Sequence, residues 1–239
     1  MAEAGSGSGG RIKRALWIAI KFAAGFFVTV HVYALILFFA PIPGTANIAI
    51  RAIEGETIKR DWEPIERISP HLIRAVIAAE DAGFCQHRGV SWIAIQEALE
   101  ERRETGRMRG ASTITQQTAK NVFFWNGGGL PRKAGEAWMA VFIDEFWGKK
   151  RVMEVYLNVA EWGDGIFGAE AAAQARFGKS AADLTEREAA LLAAVLPSPN
   201  RYRLDPPGPY VRRQAGTYQA RMRVVDGEGL ADCVLDKLY

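Results

Sequence analysis

The run ALWIAIKFAAGFFVTVHVYALILFFA occupies residues 15–40, and from Phe22 to Ala40 only Thr29 and His31 are polar. As a helix those residues reach roughly 28 Å, close to the hydrocarbon thickness of a bilayer. A core helix of a soluble protein is rarely so long and so apolar on every face. A cleaved signal peptide is the stronger rival, but its apolar region runs only ~7–15 residues and ends at a small-x-small site. The length favours an uncleaved signal anchor, with Lys21 able to snorkel to the interface. Arg11, Lys13 and Arg14 precede the span, and no charge follows it until Arg51. The positive-inside rule then keeps the N-terminus in the cytoplasm and exports everything after Pro41. Residues 4–10, AGSGSGG, read as a flexible leader.

Charge sharpens this division. Residues 1–40 carry four basic side chains and one acid, which accounts for the whole net charge of +3; the remaining residues are balanced. A bulk-charge case for nucleic-acid binding fails, because no basic excess is left for a phosphate backbone. The two cysteines, Cys85 and Cys233, make no disulfide framework and no metal knuckle, and their redox state is left open. His31, His71 and His87 lie far apart and argue against a His-rich metal site.

The organisation expected is a leader (1–14), an anchor (15–40), an irregular connector with a short strand pair (41–68) and one mainly α domain (69–239). Helical spacing recurs in nearly every segment of that domain. SPHLIRAVIAAED starts with Ser69 as N-cap and Pro70 at the first helical position. Further helices are expected over 130–148, ending at Gly148, and over 149–163, 168–178 and 184–199. The last carries a capping arrangement of Thr185 with Glu188. After Leu196 a loop leads to one closing helix.

Three places can carry chemistry. Ile73, Val76, Ile77 and Glu80 share one helix face, so Glu80 extends an apolar stripe while Asp81 points elsewhere. Desolvation raises the pKa of such a carboxylate and suits it to general acid–base work. Glu136 lies in the first turns of the helix that begins at Pro131, beside Arg132 and Lys133, where the helix dipole and both cations favour its ionised form. Carboxylates with opposite pKa logic are what an acid–base or base–electrostatic pair needs. In GASTITQQTAKN, Ser112, Gln116 and Lys120 form one polar line on a helix, and Gln117 and Asn121 a second. Neutral hydrogen-bonders with one lysine suit a sugar and a phosphate.

Together these residues carry a family resemblance. EDAGFCQHRG at 80–89 resembles the EDxxFxxHxG motif of the peptidoglycan glycosyltransferases, GASTITQQ at 110–117 their GxSTxTQQ motif, RKAGE at 132–136 their RKxxE motif, and VMEVYLN at 152–158 the helical motif that follows. These are the transglycosylase modules of class A penicillin-binding proteins and their stand-alone forms. With no transpeptidase domain and one anchor, the chain is similar to the monofunctional biosynthetic branch. The resemblance covers roughly residues 60–210.

It implies a lysozyme-like, α-helical fold with a small apolar jaw beside the membrane, drawn from about residues 85–125, where Phe123, Phe124 and Trp125 could touch lipid. It implies polymerisation of lipid II into glycan strands at the bacterial inner membrane, with inversion and release of undecaprenyl pyrophosphate. Glu80 is the implied general base and Glu136 the second essential acid. Lys120, Arg132 and Lys133 are implied ligands of the pyrophosphate; Asp81, Phe84, His87, Ser112, Thr113, Gln116, Gln117 and Asn121 complete the implied substrate site. No cofactor is required for the chemistry, although a divalent cation (Mg or Mn) at Glu136 is open. The implied partners are lipid II, the lipid-linked glycan strand, the inner membrane and other wall-synthesis or division proteins, with no nucleic acid. Two departures stand out: Gly83 and Gly128 occupy positions where the family commonly carries cations, and Arg88, Arg107 and Arg109 are the candidates to replace them. The rivals are a membrane-anchored lytic, lysozyme-like glycosidase and a non-catalytic interaction subunit of a wall-synthesis complex.

The Arg11–Arg14 cluster generates a topology prediction. A reporter enzyme fused after Tyr239 should be active when its chemistry requires export and silent when it requires the cytoplasm. Cytoplasmic activity would reverse the orientation.

Overall fold

The computed structural model describes residues 7–106 and 110–236. Arg107 and Arg109, two of the replacement cations, lie outside the described residues, as do residues 1–6 of the leader. The chain divides into two compact units, one ending at Ala40 and one beginning at Pro41.

The first unit is a single helix, α1 (Gly7–Leu37), so the leader is helical from Gly7 onward. It is long and apolar enough to cross a membrane. Its polar side chains satisfy themselves on the helix: Thr29 Oγ1 donates to the Gly25 carbonyl at 2.9 Å, and His31 Nδ1 lies 2.7 Å from the Phe27 carbonyl. In hydrocarbon, where no water can pair with such groups, this self-satisfaction is required.

The second unit is mainly helical. Residues 41–68 hold more order than the irregular connector expected. Thr45 caps α2 (Ala46–Ile53), and β1 (Lys59–Arg60) follows. β1 does not pair within the connector. Its partner is β3 (Ile166–Phe167), in parallel, and β3 also pairs antiparallel with β2 (Glu161–Gly163). A second long-range tie runs beside this pairing: Arg51 on α2 meets Glu161 and Asp164, each at 2.9 Å. A local pattern cannot show such a tie.

The core forms around α3 (Pro70–Glu80). Leu72, Ile73, Ala75, Val76, Ile77 and Ala78 are buried, against α8 (Glu186–Ala193) and α9 (Pro209–Gly227). Each fully buried Leu or Ile contributes roughly 1.5–3 kcal/mol. Ser69 caps α3 as expected, accepting from the His71 N–H, and its hydroxyl donates to the Leu184 carbonyl at 2.8 Å. Thr185 and Glu188 form the expected capping box on α8. α4 (Trp92–Thr105) was not anticipated; apart from Ala98 it buries little, so it lacks the apolar stripe that marks a core helix.

α5 (Ile114–Phe123) packs along α6 (Gly129–Val159). Gly148 breaks α6 with φ 72° and ψ 167°, so the two helices expected there are two helical pieces. The second ends at Val159, before residue 163, because residues 161–163 enter the sheet as β2. α7 (Ala169–Phe177) precedes α8, and the short α10 (Asp232–Leu235) follows α9.

Cys85, in the turn after α3, is disulfide-bonded to Cys233 on α10, 148 residues away, with Cα atoms 5.6 Å apart. The bond clips the last described helix to the turn that carries EDAGFCQHRG. Closing so long a loop removes much of the freedom of the unfolded chain. Cys85→Ser or Cys233→Ser should therefore cost roughly 2–5 kcal/mol of unfolding free energy. Denaturant titration in detergent checks this. Wild type should also migrate differently with and without reductant, and a variant as stable as wild type would remove the clip from the stability account.

Candidate active site

The end of α3 and its turn are built around Asp81. Its Oδ2 accepts from His87 Nε2 at 2.9 Å and from the Ile114 N–H at 3.0 Å. One carboxylate thus holds the turn closed and caps the start of α5, where a negative charge is favoured. Phe84 is fully buried, edge-on to His87, with Lys149 Nζ 4.7 Å from its ring centroid. Expected as a substrate contact, Phe84 instead packs inside the fold, out of reach of any ligand. His87 and Asp81 are also nearly buried. Gly89 closes the turn: its φ is +76°, and an added Cβ would lie 2.6 Å from the Ala140 carbonyl oxygen on α6. Only glycine lets the turn press so close.

Glu80 stands at the α3 terminus on the wall of a cavity of about 290 Å³, which it shares with Asp81, Gly83, His87, Ser112 and Thr113. Burial pushes its carboxyl above the usual carboxylate range. Asp81 adds to that rise. Gln117 opposes it, donating from Nε2 to Glu80 Oε2 at 2.7 Å. The predicted apolar stripe is present, since Ile73, Val76 and Ile77 are all buried behind Glu80.

The polar line on α5 differs from expectation. The helix starts at Ile114, so Ser112 precedes it. Thr113 is the N-cap, and its hydroxyl donates to the Gly89 carbonyl at 2.6 Å. Gln116 turns inward and completes a capping box, accepting from the Thr113 N–H at 3.1 Å. Both residues thus hold the motif together. Gln117, Lys120 and Asn121 do face open space, a second recess of about 370 Å³ that also contains Asn126, Tyr156 and Asn200. Tyr156 and the two asparagines were not anticipated. Tyr156 lay in the quoted VMEVYLN motif; the asparagines sit in loops that carry no periodic signal.

Glu136 is 1% exposed on α6 and is held by Arg132 and Lys133. Lys133 Nζ lies 3.3 Å from Glu136 Oε2 and donates to Ser112 Oγ at 2.8 Å, so it bridges the two motifs. Lys120 and Lys133 are both pushed below the usual lysine range, first by burial and then by the charge of Arg132. Three cations therefore lie near one another, and two of them hold one buried carboxylate. A cluster that raises its own electrostatic cost is relieved by an arriving anion. Arg88 is exposed and does not line either recess.

Residues 47–225 match the family model described as Transglycosylase. The chain belongs to the transglycosylase family. It is 51% identical over 197 residues to the biosynthetic peptidoglycan transglycosylase of Rhodospirillum centenum, covering 82% of this chain and 85% of that one. It is 52% identical over 204 residues to the protein of that name from Caulobacter vibrioides, covering 85% and 89%. A Pseudomonas putida relative of the same name is 47% identical over 223 residues, covering 91% and 92%.

Within this transglycosylase, Gly83 and Gly128 are not equivalent departures. A Cβ at Gly83 would meet only Gln86 Oε1, at 4.0 Å. Gly128 caps α6 in the left-handed region, between two further glycines of positive φ, and a Cβ there would lie 3.0 Å from that of Arg132. The Gly127–Gly129 backbone excludes an ordinary side chain, so a cation cannot simply be restored at 128. Gly83→Arg should change stability by less than about 0.5 kcal/mol. Gly128→Arg should cost ~1–3 kcal/mol from backbone strain. Melting curves of both variants check the contrast, and equal effects would show that the loop does not hold this geometry.

Proposed function

We propose that this transglycosylase is a membrane-anchored peptidoglycan glycosyltransferase that polymerises lipid II into glycan strands with inversion and releases undecaprenyl pyrophosphate. The observation that carries the reading is the pairing of a desolvated carboxylate, Glu80, with a separate cluster of three cations, Lys120, Arg132 and Lys133, of which the last two hold Glu136. Glu80 removes the proton from the 4-hydroxyl of the acceptor sugar. That oxygen attacks the anomeric carbon of the lipid-linked chain, and the bond to the pyrophosphate breaks on the opposite face. Lys120, Arg132 and Lys133 meet the charge that develops on the leaving group. One carboxylate at the attacking side and a separate group at the leaving side suit inversion.

Glu136 orients the cations. Its oxygens are taken by Arg132 and Lys133, a positively charged set that does not fit a divalent cation. A lytic glycosidase expels a sugar hydroxyl and has no use for three clustered cations, which favours the synthetic reading. A non-catalytic interaction subunit would not need an intact site, whereas here the site residues form connected networks.

The setting proposed is the inner membrane, with α1 as a single anchor, the N-terminus cytoplasmic and the second unit outside. The disulfide suits an oxidising compartment. Trp92, Ile93, Trp125, Leu130, Trp138 and Phe146 are exposed, and aromatic and apolar side chains of this kind suit a lipid surface. Phe123 and Phe124, expected at lipid, are instead half-buried, Phe123 near Trp147 and Phe124 against Gly135. Lipid II and the growing strand are the proposed partners, along with other wall-synthesis proteins.

Polymerisation of purified lipid II, followed against pH, tests the reading. Because the Glu80 carboxyl is raised, activity should fall as pH drops through its pKa and the base becomes protonated. Glu80→Gln should fold, stay in the membrane and lose ~10²–10⁴-fold in rate. Lys120→Ala should cost ~3–4 kcal/mol of transition-state stabilisation, roughly two to three decades in rate. A wild-type rate in Glu80→Gln would end the base assignment.

A further inference from the structure

The mechanism above leaves the polar side chains of VMEVYLN without a role, and one of them reaches the site. Tyr156 lies on the second piece of α6, is 1% exposed, and donates from its hydroxyl to Gln117 Oε1 at 3.3 Å. Gln117 then donates from Nε2 to Glu80 Oε2 at 2.7 Å. These three groups form a chain that begins in the core and ends on the proposed base.

An amide can present either end to a neighbour, and here the two choices have opposite consequences. With Nε2 toward Glu80, the amide stabilises the ionised carboxylate. With Oε1 toward Glu80, two acceptors face each other unless the carboxyl is protonated. The tyrosine breaks this tie. Its buried hydroxyl has a proton to place, and among the described residues Gln117 is its hydrogen-bond partner. Reversing the amide would put Nε2 against that hydroxyl and leave the phenolic proton without an acceptor, a costly state for a buried donor.

We infer that Tyr156 is a positioning residue for the base: by donating to Gln117 Oε1 it locks the amide with Nε2 toward Glu80, and so keeps Glu80 ready to accept a proton. The inference rests on the proposal that Glu80 is the general base. Burial holds the Tyr156 phenol well above its usual range, with Glu80 and Asp81 adding to the rise, so it stays a donor across working pH. Other charged or titratable groups also face Glu80. Asp81 follows it on the chain, His87 and Glu97 line the same cavity, and Tyr218 and Arg221 approach from α9. Among the described residues none of these hydrogen-bonds to Gln117, so apart from Glu80 itself the amide is set by Tyr156.

Tyr156→Phe keeps the ring and removes the hydroxyl. Rates of lipid II polymerisation against pH are compared for wild type, Tyr156→Phe, Gln117→Leu and the double variant, with melting temperatures to confirm folding. The acidic limb of Tyr156→Phe should move to higher pH by about one unit, a tenfold loss below the limb. The plateau rate and the KM for lipid II should hold. Gln117→Leu alone should move the limb the same way, and Tyr156→Phe should add nothing in that background. A uniform loss at every pH, or an equal shift in both backgrounds, would overturn the positioning role. If wild type itself fails to polymerise lipid II, the functional proposal falls. Infrared titration of Glu80, isolated by difference against Glu80→Gln, then decides the positioning role: an unmoved midpoint in Tyr156→Phe refutes it, and a raised one sustains it.

Discussion

The site depends on the Asp81 carboxylate. Glu80 is carried by α3, while Gln117, Lys120 and Asn121 are carried by α5, and Asp81 Oδ2 binds both the turn after α3, through His87, and the first N–H of α5. Thr113 adds a second bond in the same seam, from its hydroxyl to the Gly89 carbonyl. These bonds lie between nearly buried groups, where a lost partner leaves a desolvated charge uncompensated. The first and second motifs therefore behave as one rigid piece. Two of their polar members, Asp81 and Thr113, serve chiefly to align Glu80 with the functional face of α5.

Electrostatics then separates two jobs. Burial drives Glu80 upward and Lys120 and Lys133 downward, so both kinds of group are shifted toward their neutral forms. Gln117 opposes the rise at Glu80, while Glu136 pairs with Arg132 and Lys133. A base needs a pKa near working pH, and an anion site needs charge that the protein does not fully neutralise. One buried carboxylate holds Arg132 and Lys133 in register, and with Lys120 nearby it does not cancel the positive charge.

Much of this was legible in sequence because it is written in short-range periodicity. The Ile73–Ile77 stripe, the Ser69 and Thr185 caps and the Gly148 break each follow from residues within one or two turns. What escaped depends on contacts across more than a hundred positions. β1 finds its partner β3 across about a hundred positions, Arg51 on α2 reaches Glu161 and Asp164, and Cys85 meets Cys233 only once the chain has folded. Within the site the failure was of another kind. Phe84 and Gln116 belong to the motifs, yet the first fills the core and the second closes a cap. A motif marks residues that a site cannot do without, and it does not separate those that touch a ligand from those that hold the others in place.

The charge distribution bears on how substrate is found. The net charge of +3 sits entirely in residues 1–40, so the second unit carries its cation cluster within a neutral whole. Long-range steering of an anionic headgroup is then weak, and at physiological salt the field of three cations fades within about 8 Å. Capture must come from confinement. In the proposed setting, substrate and enzyme share one bilayer and meet in two dimensions, which raises effective concentration without any new contact. Under the proposed mechanism the cations are thereby freed from recruitment, and their stabilising effect is concentrated on the pyrophosphate as it leaves, where it lowers the barrier instead of deepening the bound ground state.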